Sequence, residues 1–305
     1  MSSPSAAALR DLRAAECSNG APSARNLLVT VFGDALLPHG PSTSVSVRAL
    51  AVLLGAFGAS ERLVRTSLSR LVKDGLLDTH VEGRRSFYRV ADTARDLFAQ
   101  ADARIYGSTP TAWDGSWTLV VIDGAESTPK QRARLRQELT WAGLGVVGPN
   151  VLASPVVPAD VAAGVVARVG GFEHVLVSRS EVVDGEGTLG AERLARRCAP
   201  LDDLAQLYRA FTDRFEPFAD AGSLAPEDAF KLRTLLVASF RRIALADPQL
   251  PAELLPADWI GTRARHVAGA VYRSVAAASE QRLLSTVVPP LGSGAPGLLD
   301  RFRVS

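Results

Sequence analysis

Between residues 60 and 73 the chain repeats with the period of an α-helix. Arg62, Arg65, Thr66, Ser69, Arg70 and Lys73 gather on one side, and Leu63, Val64, Leu68, Leu71 and Val72 on the other. Ser60 is placed to cap the first turn, and Gly75 follows where a helix end takes the left-handed conformation. Over 76–90 the period shortens to two. Leu77, Thr79 and Val81 alternate toward a core, Glu82-Gly83-Arg84-Arg85 makes a tip, and Phe87 and Tyr88 lead back, a β-hairpin. Upstream, 25–37 and 45–57 are apolar at helical spacing, split by the break Pro38-His39-Gly40-Pro41. This succession predicts a winged helix-turn-helix over 24–91.

The pattern then predicts a connecting helix within 92–112, with Leu97, Phe98, Ala101 and Ile105 on one side and a boundary at Ser108-Thr109-Pro110. Strand 118–122, helix 129–141, strands 145–147 and 151–154, helix 158–168 and strand 174–178 follow. The order β-α-β-β-α-β is that of a ferredoxin-like middle domain, assigned to 113–198. After the loop Asp184-Gly185-Glu186-Gly187, helical segments near 190–197, 201–219, 226–246 and 262–285 predict a C-terminal helical domain over 199–287. Residues 1–23 are expected to be a disordered tail and 288–305 a loose one. The expected class is α+β and multidomain.

Composition narrows the function classes. The hydrophobic fraction of 47% is that of a globular chain, and no apolar run reaches membrane-spanning length. The first twenty residues lack the apolar core of a signal peptide. Cys17 and Cys198 lie far apart, which suits neither a disulfide framework nor a metal site and fits a reducing cytoplasm. Charge is unevenly placed. Between Arg25 and Val90 nine basic residues face five acidic ones, a larger surplus than the +2 of the whole chain. The positive field therefore sits with the helix and the hairpin.

That surface suits duplex DNA. Arg62, Arg65, Thr66, Ser69 and Arg70 are the candidates for base edges in the major groove, and Lys73, Arg84 and Arg85 for phosphates. No catalytic set, cofactor or metal site is expected. His39, His80, His174 and His266 have no metal-ligand spacing, and Gly143-Leu-Gly-Val-Val-Gly148 reads as a loop rather than a phosphate cradle. Asp123, after the first middle-domain strand, satisfies a turn before Gly124 in the favoured reading.

Several segments together resemble the PaaX family of bacterial transcriptional regulators over about 25–285. They are Leu28-Val-Thr-Val-Phe-Gly-Asp34, Val64-Arg-Thr-Ser-Leu-Ser-Arg-Leu-Val-Lys-Asp-Gly75, Gly83-Arg-Arg-Ser-Phe-Tyr88, Trp113-Asp-Gly-Ser-Trp117, Arg136-Gln-Glu-Leu139, Ser154-Pro155, Ala229-Phe-Lys-Leu-Arg233, Asp247-Pro-Gln-Leu-Pro251 and Leu254-Leu-Pro-Ala-Asp-Trp-Ile-Gly261. The sequence departs from the family pattern at His39, Leu76 and Ile260, where Arg, Trp and Pro are the usual residues.

The resemblance implies a homodimeric, non-enzymatic repressor of aromatic-acid catabolism on palindromic operator DNA. It implies release by an aryl-acyl-CoA such as phenylacetyl-CoA. Such an effector would want cations and an apolar slot, for which the helical third offers Tyr208, Phe211, Arg233, Arg241, Arg242 and Trp259. Two alternatives stay open: a regulator of a different acyl-CoA pathway, and a metal-dependent nuclease. The second follows from the likeness of the middle domain to small CRISPR-associated nucleases, in which an Asp at the place of Asp123 helps hold a divalent ion.

Overall fold

A computed structural model of the chain describes residues 23–107, 113–123, 127–170, 175–183, 189–220, 224–287 and 301–302. Cys17, the boundary at 108–110, Gly124, His174 and the loop 184–187 lie outside them, as do most of the two expected tails. The chain forms two units. One takes residues up to Ser108 together with Leu207–Leu245 and everything from Ile260 on; the other takes Thr109–Gln206 and Ala246–Trp259.

In the first unit, α1 (Ala24–Thr30) starts at Ser23, whose side chain accepts from the amide of Asn26. One helix over 25–37 is expected from the apolar spacing. Instead the ladder widens to a π-helical stretch over Val31–Leu36 and tightens to a 3₁₀ turn at Leu37–His39. Residues 45–57 also begin differently from their expected helix. Val45–Ser46 is a short strand, β1, before Ser46 caps α2 (Val47–Gly55).

Then come α3 (Glu61–Lys73), β2 (Leu77–Glu82), β3 (Arg85–Val90) and α4 (Arg95–Tyr106). The three strands form an antiparallel sheet in the order β1-β3-β2. Leu28, Phe32, Leu50, Leu53, Leu54, Val64, Leu68 and Leu71 fill the core between α1, α2 and α3. Among the later helices, α9 (Pro226–Ala244) and α10 (Ile260–Thr286) pack on each other and send Phe230 and Leu283 into that same core.

The hairpin corrects part of the alternation read from the sequence. Leu77 is buried, but Thr79 and Val81 are exposed, Val81 at 68%. Beyond Leu77 the strand has run past the core, so its inward-facing positions meet solvent. Leu63 is likewise not core: it is 48% exposed, while Ser67 is buried between Val64 and Leu71. A helix that touches its core along one stripe leaves a residue at the stripe's edge in solvent.

The second unit is built from β4 (Ser116–Ile122), α5 (Pro129–Trp141), β5 (Gly145–Gly148), β6 (Val151–Ser154), α6 (Ala159–Val169) and β7 (Val175–Glu181). Sheet order β5-β6-β4-β7, antiparallel throughout, is the ferredoxin-like arrangement. Val120, Ile122 and Leu152 of the sheet pack with Leu135 and Leu139 of α5 and Ala162 and Val165 of α6. Within the glycine run 143–148 the expected strand at 145–147 is present as β5, one residue longer. Gly145 has a structural cause: a Cβ there would collide with the backbone and Cβ of Cys198, where α7 (Ala191–Cys198) crosses β5. Burial pushes the Cys198 thiol up to about 12, so it stays protonated. Helix α8 (Leu201–Phe215) runs from this unit into the first.

Candidate nucleic-acid interface

Helix α3 is fixed at both ends by its own sequence. The Ser60 hydroxyl accepts from the amide of Leu63 at 3.3 Å, and beyond the C-cap Asp74 the chain turns through Gly75 at φ +73°. Asp74 is tied to Arg25 at 3.0 Å, so the base of α3 is held against α1. With Val64, Leu68 and Leu71 buried, Arg62, Arg65, Thr66, Ser69, Arg70 and Lys73 are all exposed. Thr66 turns its hydroxyl back to the carbonyl of Arg62 at 2.9 Å. Arg65 donates from Nε and Nη2 to one oxygen of Glu61, at 3.0 and 2.6 Å, and so stands extended along the helix. At the hairpin, Gly83 (φ +61°) allows the tight turn, and Arg84 and Arg85 are exposed beside it.

Three of these side chains, Arg65, Arg84 and Arg85, meet in one groove, whose lining does not include Arg62, Thr66, Ser69, Arg70 or Lys73. A cleft of about 650 Å³ between the start of α2, α3 and the hairpin brings together Arg48, Arg65, Arg84 and Arg85 with Ser46 and Ser86, and no carboxylate is among the described residues lining it. Arg48 is the addition that sequence reasoning missed. It lies exposed two residues past the Ser46 cap, where a lone arginine in an apolar helix gives no local signal.

A second charged centre lies inside the same unit. Asp34, in the π-helical stretch, is 4% exposed and accepts from Tyr106 Oη at 2.6 Å, Tyr272 Oη at 2.9 Å and Arg233 Nε at 2.7 Å. Its backbone carbonyl accepts from Arg233 Nη2 at 2.9 Å and Arg301 Nη1 at 2.7 Å. Arg301 also pairs with Asp102 and lies 4.1 Å over the ring of Tyr106. Burial opposes ionisation of Asp34, but Arg233 and Arg301, with the hydrogen bonds from Tyr106 and Arg233, outweigh it and hold the carboxyl below the ordinary range. Arg233 Nη1 reaches Glu280 at 3.4 Å. His39 Nε2 lies 2.7 Å from the other Glu280 oxygen, an ion-pair contact whose alignment falls short of a hydrogen bond.

This centre corrects two expectations. Arg233, read as a cation for a ligand, is spent on Asp34 and Glu280. Two residues of the tail expected to be loose, Arg301 and Phe302, are held inside the unit. Phe302 is buried against Tyr106, Tyr272 and Phe240, because its ring completes an aromatic wall that would otherwise face water.

The other proposed ligand residues are not brought together. Tyr208 and Phe211 are buried against Phe240, Arg242 is exposed, and Trp259 lies in the second unit. Arg241 lines a cavity in the first unit. Asp123 is exposed, and its carbonyl accepts from Ser127 Oγ at 3.3 Å. His80 stacks on Phe87 and approaches Glu82 at 3.1 Å, and His266 is exposed. Among the described residues no three His, Cys, Asp or Glu gather as a metal site, and no helix is long and apolar enough to cross a membrane.

Comparison with known proteins decides the family. Three models match in chain order: PaaX-like protein over 23–94, PaaX protein central Cas2-like domain over 110–190, and PaaX-like protein C-terminal domain over 200–285. The chain belongs to the PaaX family. It is 33% identical over 262 residues to the transcriptional repressor PaaX of Escherichia coli K12, covering 84% of this chain and 82% of that protein. Among solved structures, the uncharacterized protein Rv0674 from Mycobacterium tuberculosis matches with a TM-score of 0.55 at 24% identity, over 87% of this chain and 98% of that one, which speaks to the fold alone. In this PaaX-family chain the Cas2-like match falls on the unit with ferredoxin-like strand order.

Proposed function

We propose that this chain is a transcriptional repressor that reads operator DNA through a winged helix-turn-helix, with α3 in the major groove and the β2–β3 hairpin as the wing. The observation that carries it is the exposure of Arg62, Arg65, Thr66, Ser69, Arg70, Lys73, Arg84 and Arg85 on one helix and its neighbouring hairpin tip. Guanidinium forks can bind guanine edges, short hydroxyls permit close approach, and the tip arginines reach phosphates. The similarity to a protein named as a repressor supports the same direction of control. The protein then acts in the cytoplasm and needs no cofactor.

Operator recognition of this kind calls for two copies. Val121 and Leu176 lie opposite each other across β4 and β7, on the sheet face away from α5, and are 37% and 60% exposed. They support a second copy of the chain docking there. The family resemblance supports aromatic-acid catabolic genes as the target and an aryl-acyl-CoA, phenylacetyl-CoA first, as the releasing effector. Release requires only that the effector bind the DNA-incompetent arrangement more tightly than the competent one.

The test is a gel shift on DNA flanking the gene, titrated with phenylacetyl-CoA. Specific retardation lost on adding the thioester supports the whole reading; no retardation at low salt sinks it. Retardation that survives saturating thioester leaves DNA binding and removes this effector. Incubation with Mg²⁺ or Mn²⁺ and labelled nucleic acid separates the nuclease alternative, which needs cleavage that Asp123→Ala abolishes.

A further inference from the structure

The first unit contains a cavity of about 300 Å³ lined by α1, Leu76, α4 and α9. Its walls are mostly hydrocarbon, from Val29, Phe98, Ala101, Ile105 and Val237. At its rim stand Leu97 and Leu245, 57% and 44% exposed, two large apolar side chains that the core does not use.

The cavity also holds a cation with no counter-charge. Asp34 and Asp102 line it, but Asp34 is taken by Arg233 and Arg301, and Asp102 by Arg301. Arg104 donates to the carbonyl of Ala244 at 3.4 Å. Half-buried Arg241 makes one hydrogen bond, a long one of 3.4 Å to the carbonyl of Asn26, and pairs with no carboxylate among the described residues. Burial holds its pKa below the ordinary arginine value. A guanidinium desolvated beside an apolar wall is costly unless an anion meets it, and its fork matches a carboxylate. Ligand sites commonly have this make-up, an apolar chamber at the small end of the usual range with one placed charge.

We infer that this cavity binds a small apolar acid, its carboxylate on Arg241 and its hydrocarbon part between Phe98, Ala101 and Val237. The site is formed wholly within the first unit. Leu76 immediately follows the turn that ends α3, and α1 packs directly on α3. An occupant therefore touches the two elements that set the pose of α3. Binding stands independently of the DNA reading; its regulatory consequence rests on that reading.

Calorimetric titration of the full chain with benzoate, phenylacetate and hexanoate, each beside its neutral amide, tests the site. At least one acid should bind, and its amide about tenfold more weakly, the factor that one charge-assisted hydrogen bond carries. Arg241→Gln should weaken the acid to the level of the amide, Ala101→Leu should remove binding by filling the chamber, and Arg242→Gln should change nothing. The acid–amide comparison on the unaltered chain needs no variant to fold. No binding by any acid at millimolar concentration, equal binding of acid and amide, or equal loss in Arg242→Gln overturns the site. Phenylacetyl-CoA binding without the free acids would also overturn it while leaving the repressor reading intact. Failure of the chain to retard DNA, with acid binding retained, would do the reverse.

Discussion

Arg233 Nε donates to Asp34 Oδ2 at 2.7 Å across 199 residues of chain, so α9 is clamped by a buried bond to the π-helical stretch that continues α1. Removing one partner leaves the other charged and buried, which costs about 3–5 kcal/mol. Asp34→Ala should therefore lower the urea midpoint sharply, since Arg233, Arg301 and two phenols lose their shared acceptor together. Arg233→Met, which strands the carboxylates, should also destabilise. A loss under 1 kcal/mol in both would mean that the pair is not closed in solution.

The two phenols give the protein an alkaline limit. Tyr106 and Tyr272 are both held above the ordinary tyrosine value, by burial first and then by the charge of Asp34. Each stays protonated when folded and ionises near pH 10 when unfolded, so its contribution is complete below that pH and is lost as pH rises. Above pH 10 unfolding should become easier by about 1.4 kcal/mol per pH unit for each phenol. Tyr272→Phe should flatten the slope by that amount, read from denaturation midpoints between pH 10 and 11.5. At the acid side the sign reverses. The depressed Asp34 carboxyl keeps its contribution above the ordinary aspartate value and loses it as pH falls through the folded one.

Two leucines of α3 should behave oppositely. Leu68→Ala removes a fully buried side chain and should cost about 2–5 kcal/mol. Leu63→Ala, half out in solvent, should stay within about 0.5 kcal/mol. Thermal melts of both variants check this. On operator DNA, Leu63→Ala should still weaken binding, because its side chain lies at the exposed edge of the helix that carries the arginines.

The arginines should divide by role. Arg65→Ala should cost about 1–3 kcal/mol at one base pair and relax preference there, whereas Lys73→Ala and Arg84→Ala should weaken all sequences alike. Removing one phosphate-neutralising cation should reduce the salt slope of log K by about 1. Arg48→Ala belongs with the phosphate class by its place in the groove. Fluorescence anisotropy on operator and scrambled duplexes at several salt concentrations separates the two classes.

Local signals carried α3 well. Ser60, the 3.6-residue stripe and Gly75 act within a few residues of each other, and the structure places cap and stop where the sequence puts them and buries Val64, Leu68 and Leu71 of the five apolar positions. The β-α-β-β-α-β order was legible for the same reason. What local signals could not carry were pairings made across the chain. Nothing near Arg233 announces Asp34, so a cation at a buried address read as a ligand cation. Thr79 and Val81 alternate correctly, yet the alternation does not say where the core stops. Arg301 and Phe302 sit in a glycine- and proline-rich tail whose composition argued for looseness, and the ionic and aromatic partners they find outweigh it.

Asp34 and Arg301 are separated by 267 residues, and both belong to the unit that carries α3. During synthesis the early part of that unit waits for the 267 residues that follow Asp34 before its ionic centre can close. A molecule clipped before Arg301 would thus present α3 on a loosened base, with Asp34 short of one of its two guanidinium partners.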